Sequence, residues 1–309
     1  MKPQSAFAKL NQKQSTQNAP ISSVSNAPTP SLREFEPDVF QRLQPKAYLE
    51  HHLKQSTRPD GRPLDGLRDL RIDNGSISSA HGSSLVTIGK TSVVCGIRFE
   101  VAEPDHMTPN QGFVVPNVEI GPLCASKFKP GPPSEESQVI SSRIRDIITS
   151  AGLVSLTSLV IHPGKLVWVI YIDVIGLSHD GNVFDASLLS ITHALKNARR
   201  PIVQYDPDLN QVLLPDPACS ELLSLDIPHS IFPLSFAVFN RSHILPDPTL
   251  FEEEQSQGTI TVVLDSSKAL RHLSYSGVIE PQTAGKQSTL EYCIEFTVKQ
   301  MQSQSRSSE

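Results

Sequence analysis

The chain has 309 residues, 38% of them hydrophobic, with 27 basic against 32 acidic side chains and a formal net charge of −5. That content can bury one sizeable core or two closely packed subdomains, and the acidic balance excludes the strong positive field of an autonomous nucleic-acid binder. There is no run of about 18 apolar residues, and Met1 to Asn11 lacks the apolar centre of a secretory signal, so a soluble chain with no membrane partner is expected.

Residues 1–31 are rich in Gln, Ser, Asn, Thr and Pro and are expected to form a disordered tail, because they offer too little apolar surface to offset the entropy of ordering. Apolar spacing across 34–55 predicts an amphipathic helical segment divided by Pro45. The turn-rich RPDGRPLDG at 58–66 opens a strand region, and LRDLRI, SISSAHG, SSLVTIG and TSVVCGIRFEVA read as an antiparallel meander. A strand over 113–120 and an irregular Gly/Pro-rich stretch over 121–133 come next. They lead to a helix capped by Ser134 and stopped by Gly152.

Residues 166–177 form a nearly continuous apolar run, predicting a central strand buried on both faces. The turn Asp180-Gly181-Asn182 then feeds a core helix over about 185–198. Beyond a Pro- and Asp-rich stretch near 205–217, strands are expected at 234–239, 258–264 and 270–275, and a helix from roughly 283 to 302. The order is α+β. Cys95, Cys124, Cys219 and Cys293 are scattered without CxxC pairing, which favours a reduced intracellular setting over a disulfide framework or a zinc site. No metal and no cofactor is expected.

Three stretches, in this order and at these spacings, resemble the RNase PH family: RPDGR at 58–62, NGSISSAHGSSLVTIGKTSVVCGI at 74–97 and PGKLVWVIYIDVIGLSHDGNVFDA at 163–186. The likeness spans about 48–301. VVPNVEIGPLC, GPPSEE and SFAVF narrow it towards ring subunits of the eukaryotic RNA exosome. The resemblance implies an RNase PH-like fold: a ribosomal protein S5 domain 2-like subdomain over 58–202, a connection over 203–230 and an RNase PH second subdomain over 231–303. A helical segment over 32–57 would precede them, and a disordered tail over 304–309 would follow.

Active members use inorganic phosphate to attack the terminal phosphodiester of RNA. They need cations and oriented amides for phosphate, arginines for RNA, and carboxylates that donate a proton or hold a metal. In those members the DG turn continues as Gly, a small hydroxyl residue and Arg; here Val183 and Phe184 stand in the last two places, and neither can bind phosphate. The family's carboxylates, on a later strand, align with Asp247, Thr249 and Glu253, so the middle acid is lost. Arg143 matches a helical arginine of the family, while an arginine preceding the helical glutamates falls near Pro133. Losing parts of both the clamp and the acid set should cost several orders of magnitude in rate.

Bland roles compete with functional ones throughout. Turn, cap and strand-edge positions outweigh a metal cluster for Asp173, Asp180 and Asp185; a solvated acidic face competes with a relic site for Glu252, Glu253 and Glu254. Loop or packing roles are favoured for His162 and His179, and core for Trp168, while Gly164-Lys165 lacks P-loop spacing. Lys127, Lys129 and Arg143 are the candidate RNA contacts, within a looser group that adds Arg145, Lys196, Arg199 and Arg200.

The resemblance therefore implies a catalytically silent subunit of a hetero-hexameric ring, paired with other RNase PH-like exosome subunits and S1/KH-type cap proteins. RNA would pass through the central channel to a separate catalytic nuclease, in the nucleus and nucleolus and also the cytoplasm. The alternatives are an active phosphate-dependent 3′–5′ exoribonuclease, alone or through a composite site, and an independent RNA-binding module.

Overall fold

The computed structural model describes residues 37–206, 211–213, 222–225, 227, 229–239, 243–277 and 288–307. The chain divides into two units, 1–45 and 46–309. Outside the described residues lie the tail expected over 1–31, the first residues of the helical segment, much of the Pro- and Asp-rich stretch, and Cys219.

Helix α1 (Pro37–Leu43) begins on a proline, whose missing N–H costs nothing at a first helical position. A second proline opens α2 (Pro45–Lys54), so the segment is broken where Pro45 predicts. Leu49 and Leu53 of α2 pack with Phe239 and Leu245.

In the larger unit, β1 (Leu70–Asn74), β2 (Gly82–Ile88) and β3 (Thr91–Ala102) form the antiparallel meander. The SISSAHG stretch is not one of its strands. Gly75, at φ +76°, turns the chain, and Ser83 Oγ both accepts from the Ile77 amide at 2.9 Å and donates to its carbonyl at 3.2 Å, holding a turn instead. Next come β4 (Phe113–Glu119) and α3 (Glu135–Ala151), where Ser134 Oγ accepts the Ser137 amide and Gly152 closes the helix at φ +60°. A 3-10 turn (Leu156–Leu159), β5 (Val160–His162) and β6 (Leu166–Ser178) complete a sheet ordered β1-β2-β3-β6-β4, with β5 on β6.

Strand β6 is central, antiparallel to β3 and parallel to β4, but only its first part is buried on both faces. From Tyr171 onward burial alternates, and Ile175 is 42% exposed. Helical cover on one face and the 3-10 turn near the strand's start give this asymmetry.

Helix α4 (Val183–Asn197) begins two residues earlier than expected and is buried along most of its length. Gly82 lets β2 press against it: a Cβ there would fall 2.6 Å from Ala198 Cα and 2.7 Å from the Ala194 carbonyl. Short strands β7 (Arg199–Pro201), β8 (Gln204–Asp206), β9 (Gln211–Leu213) and β10 (Leu222–Ser224) pair as β7 with β10 and β8 with β9. Then β11 (Ile231–Phe239), β12 (His243–Pro246), α5 (Leu250–Gln255), β13 (Gly258–Asp265) and β14 (Leu270–Gly277) build a second antiparallel sheet ordered β12-β11-β13-β14. Helix α6 (Thr289–Ser307) packs on β11 and β13. It starts later than 283, with 278–287 outside the described residues, and it stays helical to Ser307, where a disordered tail from 304 is expected.

Helix α4 touches both sheets, and α3 reaches β4 of the first and β14 of the second. The second sheet is thus covered on one side by α4 and on the other by α6. Strand β11 is accordingly buried along nearly its whole length.

Candidate functional site

The site is built where the DG turn meets the segment after β12. Gly181 sits at φ +78°, and a Cβ on it would fall 2.5 Å from Leu250 N and Thr249 C, so only glycine allows this approach. Asn182 follows in the left-handed region, at φ 56°, and its two nitrogens reach two acids. Its amide donates to Glu253 Oε1 at 2.7 Å, and its side-chain Nδ2 donates to Asp247 Oδ1 at 2.8 Å.

Asp247 is fully engaged elsewhere. Arg68 grips it with Nε to Oδ2 at 2.9 Å, Nη2 to Oδ1 at 2.7 Å and its backbone amide to Oδ2 at 2.9 Å, while Arg62 Nη1 lies at 3.4 Å. Burial pushes this carboxyl up, but the Arg68 hydrogen bonds and charge win and hold it below the ordinary aspartate value. Thr249 is the N-cap of α5: its hydroxyl accepts the Glu252 amide at 3.4 Å, and the Glu252 carboxylate accepts the Thr249 amide at 2.9 Å.

Glu252 also pairs with Arg58, whose side chain is 0% exposed. Arg58 Nε donates to Oε1 at 2.8 Å and its Nη2 to Oε2, while Nη1 donates to the Pro246 carbonyl at 2.7 Å. Two expectations are corrected here. The aligned trio does not sit on a strand: Asp247 follows β12, Thr249 caps α5 and Glu253 lies within it. Nor is 252–254 a solvated acidic face, since Glu252 is 1% exposed and Glu253 is largely covered, leaving only Glu254 exposed.

Val183, Phe184 and Glu253 line a cavity of about 440 Å³ together with Arg143, His179 and Asn182; Asp247 and Thr249 do not line it. The Arg143 guanidinium carbon lies over Phe184, 4.4 Å from the ring centre. Burial lowers its pKa, with the Asp185 carboxylate opposing. Burial likewise lowers that of His179 and pushes Glu253 up to about 7, the latter against the Asn182 amide. Asp185, 2% exposed, accepts the Ser235 amide at 2.7 Å and hydroxyl at 2.9 Å, yet burial still lifts it to about 6.

Lys127 reaches the cavity's edge indirectly. Its Nζ is 4.0 Å from Glu136 and lies over Phe128, which stacks on His179. Lys129 is exposed on the same loop, and Arg145, Lys196 and Arg199 are exposed away from the cavity lining, while Arg200 donates to the Ser158 carbonyl at 2.9 Å. Trp168 is core, at 5% exposed. Asp173 pairs with Arg98 at 3.5 Å, and no His, Cys, Asp or Glu group that could hold a metal occurs among the described residues.

The cavity lining holds one arginine, Arg143, and no aspartate, with Val183 and Phe184 at the helix start where a phosphate would need donors. The pattern of the 3′ exoribonuclease family, domain 1, matches residues 66–201. The exosome complex component rrp43 of Schizosaccharomyces pombe is 39% identical over 236 residues, covering 76% of this chain and 85% of that one. The chain belongs to the RNase PH family.

Within that family, the exosome complex component Rrp42 of Thermococcus gammatolerans is also similar, at 38% identity over 215 residues, covering 70% of this chain and 77% of that one. A chain of the Archaeoglobus fulgidus exosome, solved with RNA bound to its active site, superposes with a TM-score of 0.71 at 26% identity, covering 85% of this chain and 97% of its own. An RNase PH-like fold is what the two sheets and their helices form.

Sequence reasoning missed Arg58 and Arg68 and read His179 only as loop or packing. The available signal was the density of arginines around two DG turns in RPDGRPLDGLRD, where a turn alone needs none.

Proposed function

We propose that this RNase PH-family chain is a non-catalytic structural subunit of an exosome ring, supporting 3′–5′ RNA processing and decay. The observation that carries the reading is the start of α4: Val183 and Phe184 replace phosphate donors, Phe184 is covered by Arg143, and the one surviving aspartate, Asp247, is locked to Arg68. Phosphorolysis needs a free acid beside a charged phosphate clamp; Arg143 and Glu253 face the cavity, but Asp247 is engaged outside it and neither a hydroxyl nor a cation stands at 183 and 184 after the DG turn. The similarity to exosome components supports a ring shared with other RNase PH-like subunits. S1/KH-type caps, a central RNA path and a separate nuclease complete the proposal, as does residence in the nucleus, nucleolus and cytoplasm.

A tagged pull-down from native extract, with sizing and subunit identification, tests it. Recovery in a stoichiometric assembly with other RNase PH-like chains and S1/KH proteins is expected, together with background-level release of nucleoside diphosphates by the purified chain. A monomer or homo-oligomer that degrades RNA with phosphate would overturn the reading.

A further inference from the structure

The unsatisfied polar atoms of this protein gather in one place. Among the described residues, six buried side-chain N and O atoms lack a hydrogen-bond partner, and four of them belong to residues lining the 440 Å³ cavity: Arg143 Nε and Nη2, His179 Nε2 and Asn182 Oδ1. An unpaired buried polar atom keeps the full desolvation penalty of its group, so such a concentration marks a place where a ligand or ordered water completes the structure.

Their chemistry is specific. Arg143 Nε and Nη2 form one side of a planar fork, a donor pair suited to two neighbouring acceptors. His179 Nδ1 accepts the Gly181 amide at 3.2 Å, so in the neutral ring Nε2 carries the proton and is a third donor. Asn182 Oδ1 is an acceptor and requires a donor on the ligand. A carboxylate or an RNA phosphodiester has none, and inorganic phosphate near neutral pH offers only the O–H it retains. Any such anion would also face Glu135, Glu136 and Glu253 around a single guanidinium. Val139, Ile140, Val183 and Phe184 add apolar wall, and the volume lies within the range of small-molecule sites.

We propose that this cavity is a nucleobase site that prefers guanine. The O6 and N7 of guanine are the acceptor pair that an arginine fork reads, and its N1–H and N2 amine supply the donor that Asn182 Oδ1 lacks and a further one for the Glu253 carboxylate, which already accepts the Asn182 amide. The proposal rests on the reading of this site as unable to hold phosphate. The base could come from a free nucleoside or from an RNA strand, and the same complementarity serves both.

The test is calorimetric titration of the full-length chain with guanosine, uridine and inorganic phosphate in turn, repeated with short oligoribonucleotides ending in G or U. Saturable guanosine binding at least about 10-fold tighter than uridine is expected, with at least a comparable loss in Arg143→Lys, which keeps the charge but not the fork. A wild-type shift of the Arg143 Nε resonance on adding guanosine provides a readout if that variant folds poorly. If only the G-ending oligonucleotide saturates, and Arg143→Lys abolishes its preference over the U-ending one, RNA is the source and the base site stands. Equal affinity for G and U, or no saturation by either guanosine or oligonucleotide, overturns the site and leaves ordered water as its content. Saturable phosphate binding would overturn both this proposal and the reading of a lost phosphate clamp, whereas failure of the bases alone leaves that reading intact.

Discussion

Arg58 and Glu252 show how a single pair can hold distant parts of the chain together. The pair is fully buried and 194 residues apart in sequence, and Arg58 also satisfies the carbonyls of Pro246 and Asp247. Arg58→Met leaves the buried Glu252 carboxylate with only the Thr249 amide and Arg62 at 3.9 Å, and a loss of about 3 kcal/mol is expected in denaturant unfolding, whereas Arg58→Met with Glu252→Met should cost less than the two single changes summed. Titration adds a second residue-scale expectation. Glu253 and Asp185 have folded pKa values of about 7 and about 6, above their ordinary 4.5 and 3.8, so the folded state binds more protons than the unfolded state between those limits. Stability should therefore fall as pH rises from about 4 to 7. Asp247 shifts the other way, so its contribution is present above 3.8 and lost as pH falls below that value. Melting temperature measured across pH should peak in mildly acidic solution, and Glu253→Gln should flatten the limb between 4.5 and 7. That Val183 and Phe184 offer no side-chain donor is legible in the sequence, because side-chain chemistry is local information. Sequence could not say that Asp247 is held by Arg68, since that bond joins residues 179 apart.

At the scale of elements, the signals that survived are those a short stretch carries by itself. Ser134 and Gly152 bound α3 where cap chemistry requires, and Pro45 separates two helices. Ser134→Ala should cost about 1 kcal/mol, read as a lowered melting temperature. Gly181→Ala should be worse. The added Cβ meets the backbone of residues 249 and 250 at 2.5 Å while the residue is held at positive φ, so a loss above that of the cap variant is expected by the same measurement. The SISSAHG stretch misled because β-favouring residues between glycines also suit a turn, and Ser83 decides between them through hydrogen bonds made only after folding. The end of β6 misled for a related reason: an apolar run records hydrophobicity, not how many faces are covered.

The whole molecule unites two sheets through α3 and α4, and its cavity lies where that junction brings the turn at 180–182 against α5. The net charge is −5, and the candidate cations Lys129, Arg145, Lys196 and Arg199 lie outside the cavity lining. Binding of unstructured RNA at physiological salt should be weak and lost on adding salt, and a filter-binding series across ionic strength checks this.

Amino-acid sequence by itself determined the order of the longer helices and strands, the family, and the absence of phosphate-binding side chains after the DG turn, because each depends on local periodicity or on residue identity at a fixed spacing. Only the tertiary structure decided which charges are spent. The burial of Arg58, Arg68, Asp247 and Glu252 as ties, the exclusion of Asp247 from the cavity, and the gathering of Arg143, His179 and Asn182 around it all arise from contacts across long stretches of chain, whose partners no local pattern names.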